Sequence, residues 1–259
     1  MTQVQAAGPD IAAFDGATIE RVLRPLARKA NGLTGADIEE AVKNARRKAR
    51  REKRPVTYDD IESLLAGTKP PRSLKLLHRM AVHEAGHAVA RLHFGFGPLI
   101  EITIDAPDGG YTLGELGQDE QTEELLTTIL IEHLAGRAAE EEILGSATQN
   151  SGGSERSDLA IATRLALDME TILGFSPKWP LLYRKVENGT AILGTDLELA
   201  GRVNARLDTA YTAARDIVRL QRVAIEFLAN ILVAEETLEG PELDAILEQV
   251  RQKMVDPPP

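Results

Sequence analysis

Apolar positions along the chain recur mostly at intervals of three and four, the signature of helices that bury one face. A first helix is predicted over Thr18–Lys29, with Val22, Leu23, Leu26 and Ala27 on one side and Asn31-Gly32 as its stop. Thr34 reads as an N-cap for a long helix over residues 35–53. There Ile38, Val42, Ala45 and Ala49 make the buried stripe, and Pro55 ends it. Thr57 caps a further helix, Tyr58–Ala66. After Gly67-Thr68-Lys69-Pro70-Pro71, the clearest linker signal, Ser73 caps a helix that runs to His93 and stops at Phe94-Gly95-Phe96-Gly97-Pro98.

The period changes to two over Leu99–Ile104, a strand. Pro107-Asp108-Gly109-Gly110 is a turn, and Tyr111–Leu116 a second strand. Helical spacing then returns over Glu123–Leu144, Ser154–Leu173, Asp196–Leu220 and Arg222–Ala234. The expected fold is mainly α. A small helical subdomain (11–67) follows a flexible tail (1–10). A linker (68–74) leads to a larger helical domain with a small β region (75–251), and residues 252–259 form a second tail.

Charge sharpens this division. The net charge of the 259 residues is −10, but residues 1–79 hold 16 Lys/Arg against 10 Asp/Glu, and residues 80–259 hold 14 against 30. The acidic larger part argues against a general nucleic-acid binder. Eight of the twelve residues Lys43–Arg54 are basic. No aromatic residue is interleaved for base stacking, so a solvated helix face is favoured over nucleic-acid or acidic-partner binding. A non-catalytic assembly or binding module using this helix is the alternative function. No apolar run approaches a membrane span, and residues 1–30 contain no signal-peptide core.

Cysteine is absent. That excludes disulfides, thiolate metal sites and a cysteine nucleophile, so any metal must be held by His, Asp and Glu. The five histidines include His83-Glu84-Ala85-Gly86-His87. This is H-E-x-x-H, and it lies inside a predicted helix. A four-residue step turns a helix by about 400°, so His83 and His87 share one face and can bind one Zn2+. Glu84 lies beside the metal and can act as general base toward a water that the metal acidifies. Gly86 is costly in a helix and suits a close approach by another segment.

A third ligand is needed. His93 has the spacing of the H-E-x-x-H-x-x-G-x-x-H form, but Ala90 stands where that form needs glycine, and a continuous helix turns His93 about 120° away from His87. Glu140, Glu141, Glu142 and Asp158 are the other candidates, and spacing does not choose among them.

Several segments in order resemble one family. They are Met80–Val89, Gly110-Tyr111-Thr112, Leu134–Glu141, Ser157-Asp158-Leu159 with Ala162-Thr163, Gly174-Phe175-Ser176, Pro180–Tyr183, and Glu236-Thr237-Leu238 with Glu242-Leu243. Over residues 75–250 the chain resembles the C-terminal portion of FtsH-type AAA+ zinc proteases, peptidase family M41, which implies a zincin-like protease domain. The resemblance implies Asp158 as the third zinc ligand and Glu140 as an acid behind the ligands or in the scaffold. It also implies an edge strand within Glu101–Thr112 that takes substrate as an added β-strand.

Residues Leu33–Ile38 and Val56–Asp60 resemble the helical lid of an AAA+ ATPase. The phosphate loop G-x-x-x-x-G-K-[ST] is not found, so ATP hydrolysis is not expected from these residues. The resemblance implies a zinc-dependent endopeptidase acting on unfolded or ATPase-delivered polypeptides in a hexameric ring. The ATPase module would belong to a longer parent chain, or the protein would be a shortened relative. A cytoplasmic location follows, with membrane association only through such a parent chain.

Overall fold

A computed structural model of the chain describes residues 16–30, 33–65, 72–106, 109–115, 117 and 120–256. The expected tail at 1–10, residues 68–71 of the expected linker, the turn residues 107–108 and the terminal prolines lie outside the described residues. The chain divides into two compact units, residues 1–71 with 105–108 and residues 72–104 with 109–259.

The first unit contains α1 (Gly16–Lys29), α2 (Gly35–Arg51) and α3 (Tyr58–Leu65). Thr34 caps α2 reciprocally. Its hydroxyl accepts from the Asp37 amide while the Asp37 carboxylate accepts from the Thr34 amide, satisfying two donors a helix start leaves open. The core is small: Leu26, Ala41 and Leu65, with Ala30, Ile38 and Ile61 packed on them. The buried stripe of α2 is Ala41, Ala45 and Ala49. On α1 Leu26 is buried, whereas Val22, Leu23 and Ala27, expected on the same inward face, are exposed. Buried Asp60 accepts from Arg54 Nη2 (2.7 Å) and from the Thr57 amide (3.0 Å), which fixes the loop between α2 and α3.

The second unit is built on α4 (Leu74–Phe94), capped by Ser73 and ended by Gly95 in the left-handed conformation. Its second half, Met80 to Arg91, is buried on every side. A three-stranded sheet follows: β1 (Leu99–Ala106) lies between β2 (Gly109–Gly114) and the short β3 (Thr237–Glu239). β1 and β3 run antiparallel with Ile102 opposite Leu238. Then come α5 (Glu123–Leu144), α6 (Asp158–Thr171), α7 (Leu197–Leu220), α8 (Arg222–Glu235) and α9 (Gly240–Arg251).

One continuous core runs from α4 through α5, α7 and α8 to α9. Gly86 explains how close α4 and α5 come: a Cβ there would stand 2.7 Å from Ala139 Cβ and 2.8 Å from the Ala135 carbonyl oxygen. Helix α6 starts at Asp158, four residues later than its pattern predicts, because residues 154–157 form a turn that makes Ser157 the cap. β3 and α9 extend the fold beyond the predicted elements. No helix among the described residues is long and apolar enough to cross a membrane.

Candidate metal centre

His83 and His87 lie one turn apart on α4, and their Nε2 atoms face one another at 3.1 Å. Asp158, the first residue of α6, places Oδ2 3.1 Å from His83 Nε2 and 3.5 Å from His87 Nε2. These three residues offer donor atoms that all lie within 4.8 Å of one another. Glu140, Glu141 and Glu142, left open by spacing, go elsewhere. Glu141 pairs with Arg137, and Glu142 with Arg215 and Arg219 of α7. His93 turns away, its Nδ1 3.3 Å from the Gln221 amide nitrogen.

The opposite edge of each imidazole is held. Glu140, fully buried on α5, stands 2.9 Å from His83 Nδ1. Arg79 (2.9 Å) and the Thr148 amide (2.9 Å) also donate to its carboxylate, and Arg79 bonds the Ser146 carbonyl as well. His87 Nδ1 donates to the Glu132 backbone carbonyl at 2.8 Å. A neutral imidazole that gives its Nδ1 hydrogen outward keeps a bare Nε2. Two such nitrogens and a carboxylate oxygen aimed at one point have no hydrogen to share, so the cluster calls for positive charge.

The acid–base balance says the same. Burial opposes a charge on His87, but the Asp158 carboxylate outweighs it and pushes the pKa up to about 10. Burial likewise works against charge on His83, and hydrogen bonds to Asp158 and Glu140 overcome it. Asp158 is held well below the usual carboxylate range, burial being outweighed by the two histidines. Glu140 is lowered too, burial being outweighed by His83, Arg79 and Thr148.

A divalent ion fits this donor set. Two imidazole nitrogens on a tetrahedral zinc lie about 3.3 Å apart, close to the spacing between these rings. Gly136 of α5 faces both: a Cβ there would collide with His87 Nε2 and stand 2.7 Å from His83 Nε2. The missing side chain keeps that side of the rings open.

Glu84 adjoins the cluster and differs from the other acids. It is buried, which pushes its carboxyl up from the ordinary value. Its side-chain contact is the Thr112 hydroxyl, which donates to Oε2 at 2.9 Å and also lies 3.1 Å from the Glu84 carbonyl. Thr112 belongs to β2. Alternate residues of β2 turn to α4: a Cβ on Gly110 would stand 2.5 Å from Glu84 Oε1, and one on Gly114 would collide with the Arg91 guanidinium. Tyr111 and Leu113 face outward and are exposed. Sequence reasoning missed Thr112 as a partner of Glu84, Glu132 as a partner of His87, and Gly136. The H-E-x-x-H period could have directed attention to α5 only once the α4–α5 crossing was known.

Comparisons with known proteins identify the family. A profile of peptidase family M41 matches residues 73–246. The ATP-dependent zinc metalloprotease FtsH of Thermotoga maritima is 33% identical over 265 aligned residues, covering 90% of this chain and 42% of that protein. FtsH 3 of Symbiobacterium thermophilum is 33% identical, with 92% and 41% covered. FtsH 1 of the same organism is 35% identical, with 87% and 39% covered. The chain thus spans about two-fifths of the length of these curated relatives. The matched span contains α4, α5 and α6, which carry the His–His–Asp cluster, and the chain belongs to peptidase family M41.

Proposed function

We propose that the chain is a zinc-dependent endopeptidase whose ligands are His83, His87 and Asp158 and whose general base is Glu84. The observation that carries this reading is the convergence of two outward-tethered histidines and Asp158 on one point beside a buried carboxylate that no arginine or lysine pairs. When bound, zinc supplies a Lewis acid that polarises the scissile carbonyl and acidifies a water.

The remaining chemistry belongs to the chain. Glu84, with lone pairs not occupied by any arginine or lysine, accepts a proton from the attacking water and returns it to the leaving amine. Its raised pKa narrows the gap between acceptor and donor. The Thr112 hydrogen bond holds the carboxylate in one orientation. Glu140 and the Glu132 carbonyl fix the two rings.

Among the described residues β2 has no strand on its outer side, so an extended polypeptide can add there through main-chain hydrogen bonds. Recognition of backbone rather than sequence suits unfolded substrates. The lid-like reading of residues 11–67 and a homo-hexameric ring belong to the same proposal and rest on the family resemblance; delivery by an ATPase rests also on the relatives, which are ATP-dependent zinc metalloproteases.

The test is metal analysis combined with casein degradation, comparing wild type with Glu84→Gln. Both proteins should bind about one zinc per chain, and only wild type should cleave. A chelator should stop cleavage and added zinc restore it. A protein that binds no metal, or a Glu84→Gln variant that cleaves at the wild-type rate, overturns the reading.

A further inference from the structure

The first unit carries a feature that peptide hydrolysis does not use. A groove of about 740 Å³ runs along α2, and five cations line it: Lys43, Arg46, Arg47, Arg50 and Arg54. Its apolar lining is Ala49, Pro55 and Val56, and no acidic side chain lines it. Lys43 and Arg50 are two helical turns apart, about 10 Å.

The cations are not equally committed. Arg54 is held by Asp60, and Lys43 pairs with Glu39 one turn away at 2.7 Å. Arg47 reaches only the Asn44 side-chain oxygen, at 2.6 Å. Arg46 and Arg50 are exposed and have no anionic partner among the described residues. A solvated helix face is usually interspersed with acids. This lining is cationic throughout its charged positions, and its charge is partly unsatisfied.

We propose that the groove binds acidic segments of polypeptides and so holds protein substrates that carry them. The proposal takes from the preceding section that the chain's substrates are polypeptides, while the binding itself stands on the groove alone. Arginine supplies four of the five cations, and its planar fork pairs bidentately with a carboxylate. Same-side residues of an extended peptide repeat every 6–7 Å, about one turn of the facing helix, so alternate glutamates meet successive arginines. The residues between them meet Pro55 and Val56.

The same features disfavour other polyanions. No aromatic residue lines the groove, so bases have nothing to stack on.

The experiment uses the full chain, with a chelator present so that nothing is cut. Fluorescence anisotropy follows a labelled peptide of alternating Glu and Ala, and its Gln-for-Glu counterpart. The Glu peptide should bind and the Gln peptide should not. The double variant Arg46→Glu/Arg50→Glu should weaken binding by about tenfold or more, from the loss of two charge-assisted contacts. Arg46→Gln/Arg50→Gln should fall between and decides the matter if the charge reversal perturbs α2 by circular dichroism.

Equal binding of the two peptides, or unchanged affinity in both variants, overturns the proposal. So does tighter Arg46/Arg50-dependent capture of a single-stranded oligonucleotide or of phosphatidylserine vesicles. Because cleavage is blocked, this result is independent of whether the chain proves to be a protease. In the active protein the same double variant should raise KM for an acid-tailed unfolded substrate while leaving cleavage of a neutral peptide unchanged.

Discussion

The two units put their charges in opposite places. In the first, a core of a few aliphatic side chains sits under helices whose charges point outward, and Asp60 is its one buried charge among the described residues. In the second, a much larger core encloses His83, Glu84, His87, Arg91, Glu140 and Glu170. Burial of charge alone does not identify a site. Asp60 is saturated by Arg54, Lys48 and Thr57. Glu170 is saturated as well: Arg206 Nε at 2.6 Å, Arg202 Nε at 2.9 Å and Ser176 Oγ at 3.0 Å. Carboxylates gripped this way hold elements together. Glu84, whose side chain meets one hydroxyl, keeps the acceptor capacity that the proposed general base needs.

Substitutions can break this contrast, and the largest effect is expected where the site has no side chain. Gly136→Val should crowd both ring nitrogens and bring zinc stoichiometry from about one per chain toward zero by elemental analysis, with loss of proteolysis. Asp158→Asn should weaken zinc affinity by about a hundredfold or more in competition with a chromophoric chelator, whereas His93→Ala should leave it unchanged. The reverse outcome would transfer the third-ligand role to His93.

Glu170→Ala should leave two arginines without their shared partner and cost about 3 kcal/mol, read as a lower unfolding midpoint, with zinc content retained. The pH dependence has a definite sign. Burial tends to raise the Glu170 pKa, but Arg206, Arg202 and Ser176 outweigh it and hold it below the ordinary value. The stability this provides is fully present above the unfolded-state pKa, about 4.3, and is lost as pH falls through the folded value. Glu170→Gln should therefore be less stable than wild type at neutral pH and flatter in its acid dependence. The smallest effect is expected in the first unit. Asp60→Asn should raise amide exchange in α2 and α3 and leave α4 and α5 protected.

What the sequence makes legible is what local spacing encodes. The H-E-x-x-H pair, the caps Thr34 and Ser73, and the stop at Gly95 all act within one or two turns, and each is found where its pattern predicts. The approach of Asp158, 71 residues beyond His87, depends on how α6 packs, so spacing left it level with Glu140, Glu141 and Glu142; only the family resemblance singled it out. The Glu132 contact uses a backbone carbonyl, which any residue type could supply. β3 was hidden because α8 ends on Glu236 in a left-handed conformation (φ 58°) without the usual glycine, and its partner strand lies over 130 residues away. The exposed Val22 and Leu23 show the converse: a regular apolar stripe need not be buried throughout.

The inward face of β2 has a consequence for how this protein can change. Gly110, Thr112 and Gly114 meet the α4 residues Glu84 and Arg91, and Gly136 meets the histidines from the other side. Three of these four positions contribute no functional group, yet a larger residue at any of them must displace Glu84, Arg91 or the two histidines. Much of the site's mutational intolerance therefore resides in space that must stay unfilled, and a saturation scan scored by proteolysis should mark these glycines as strongly as the groups that do the chemistry.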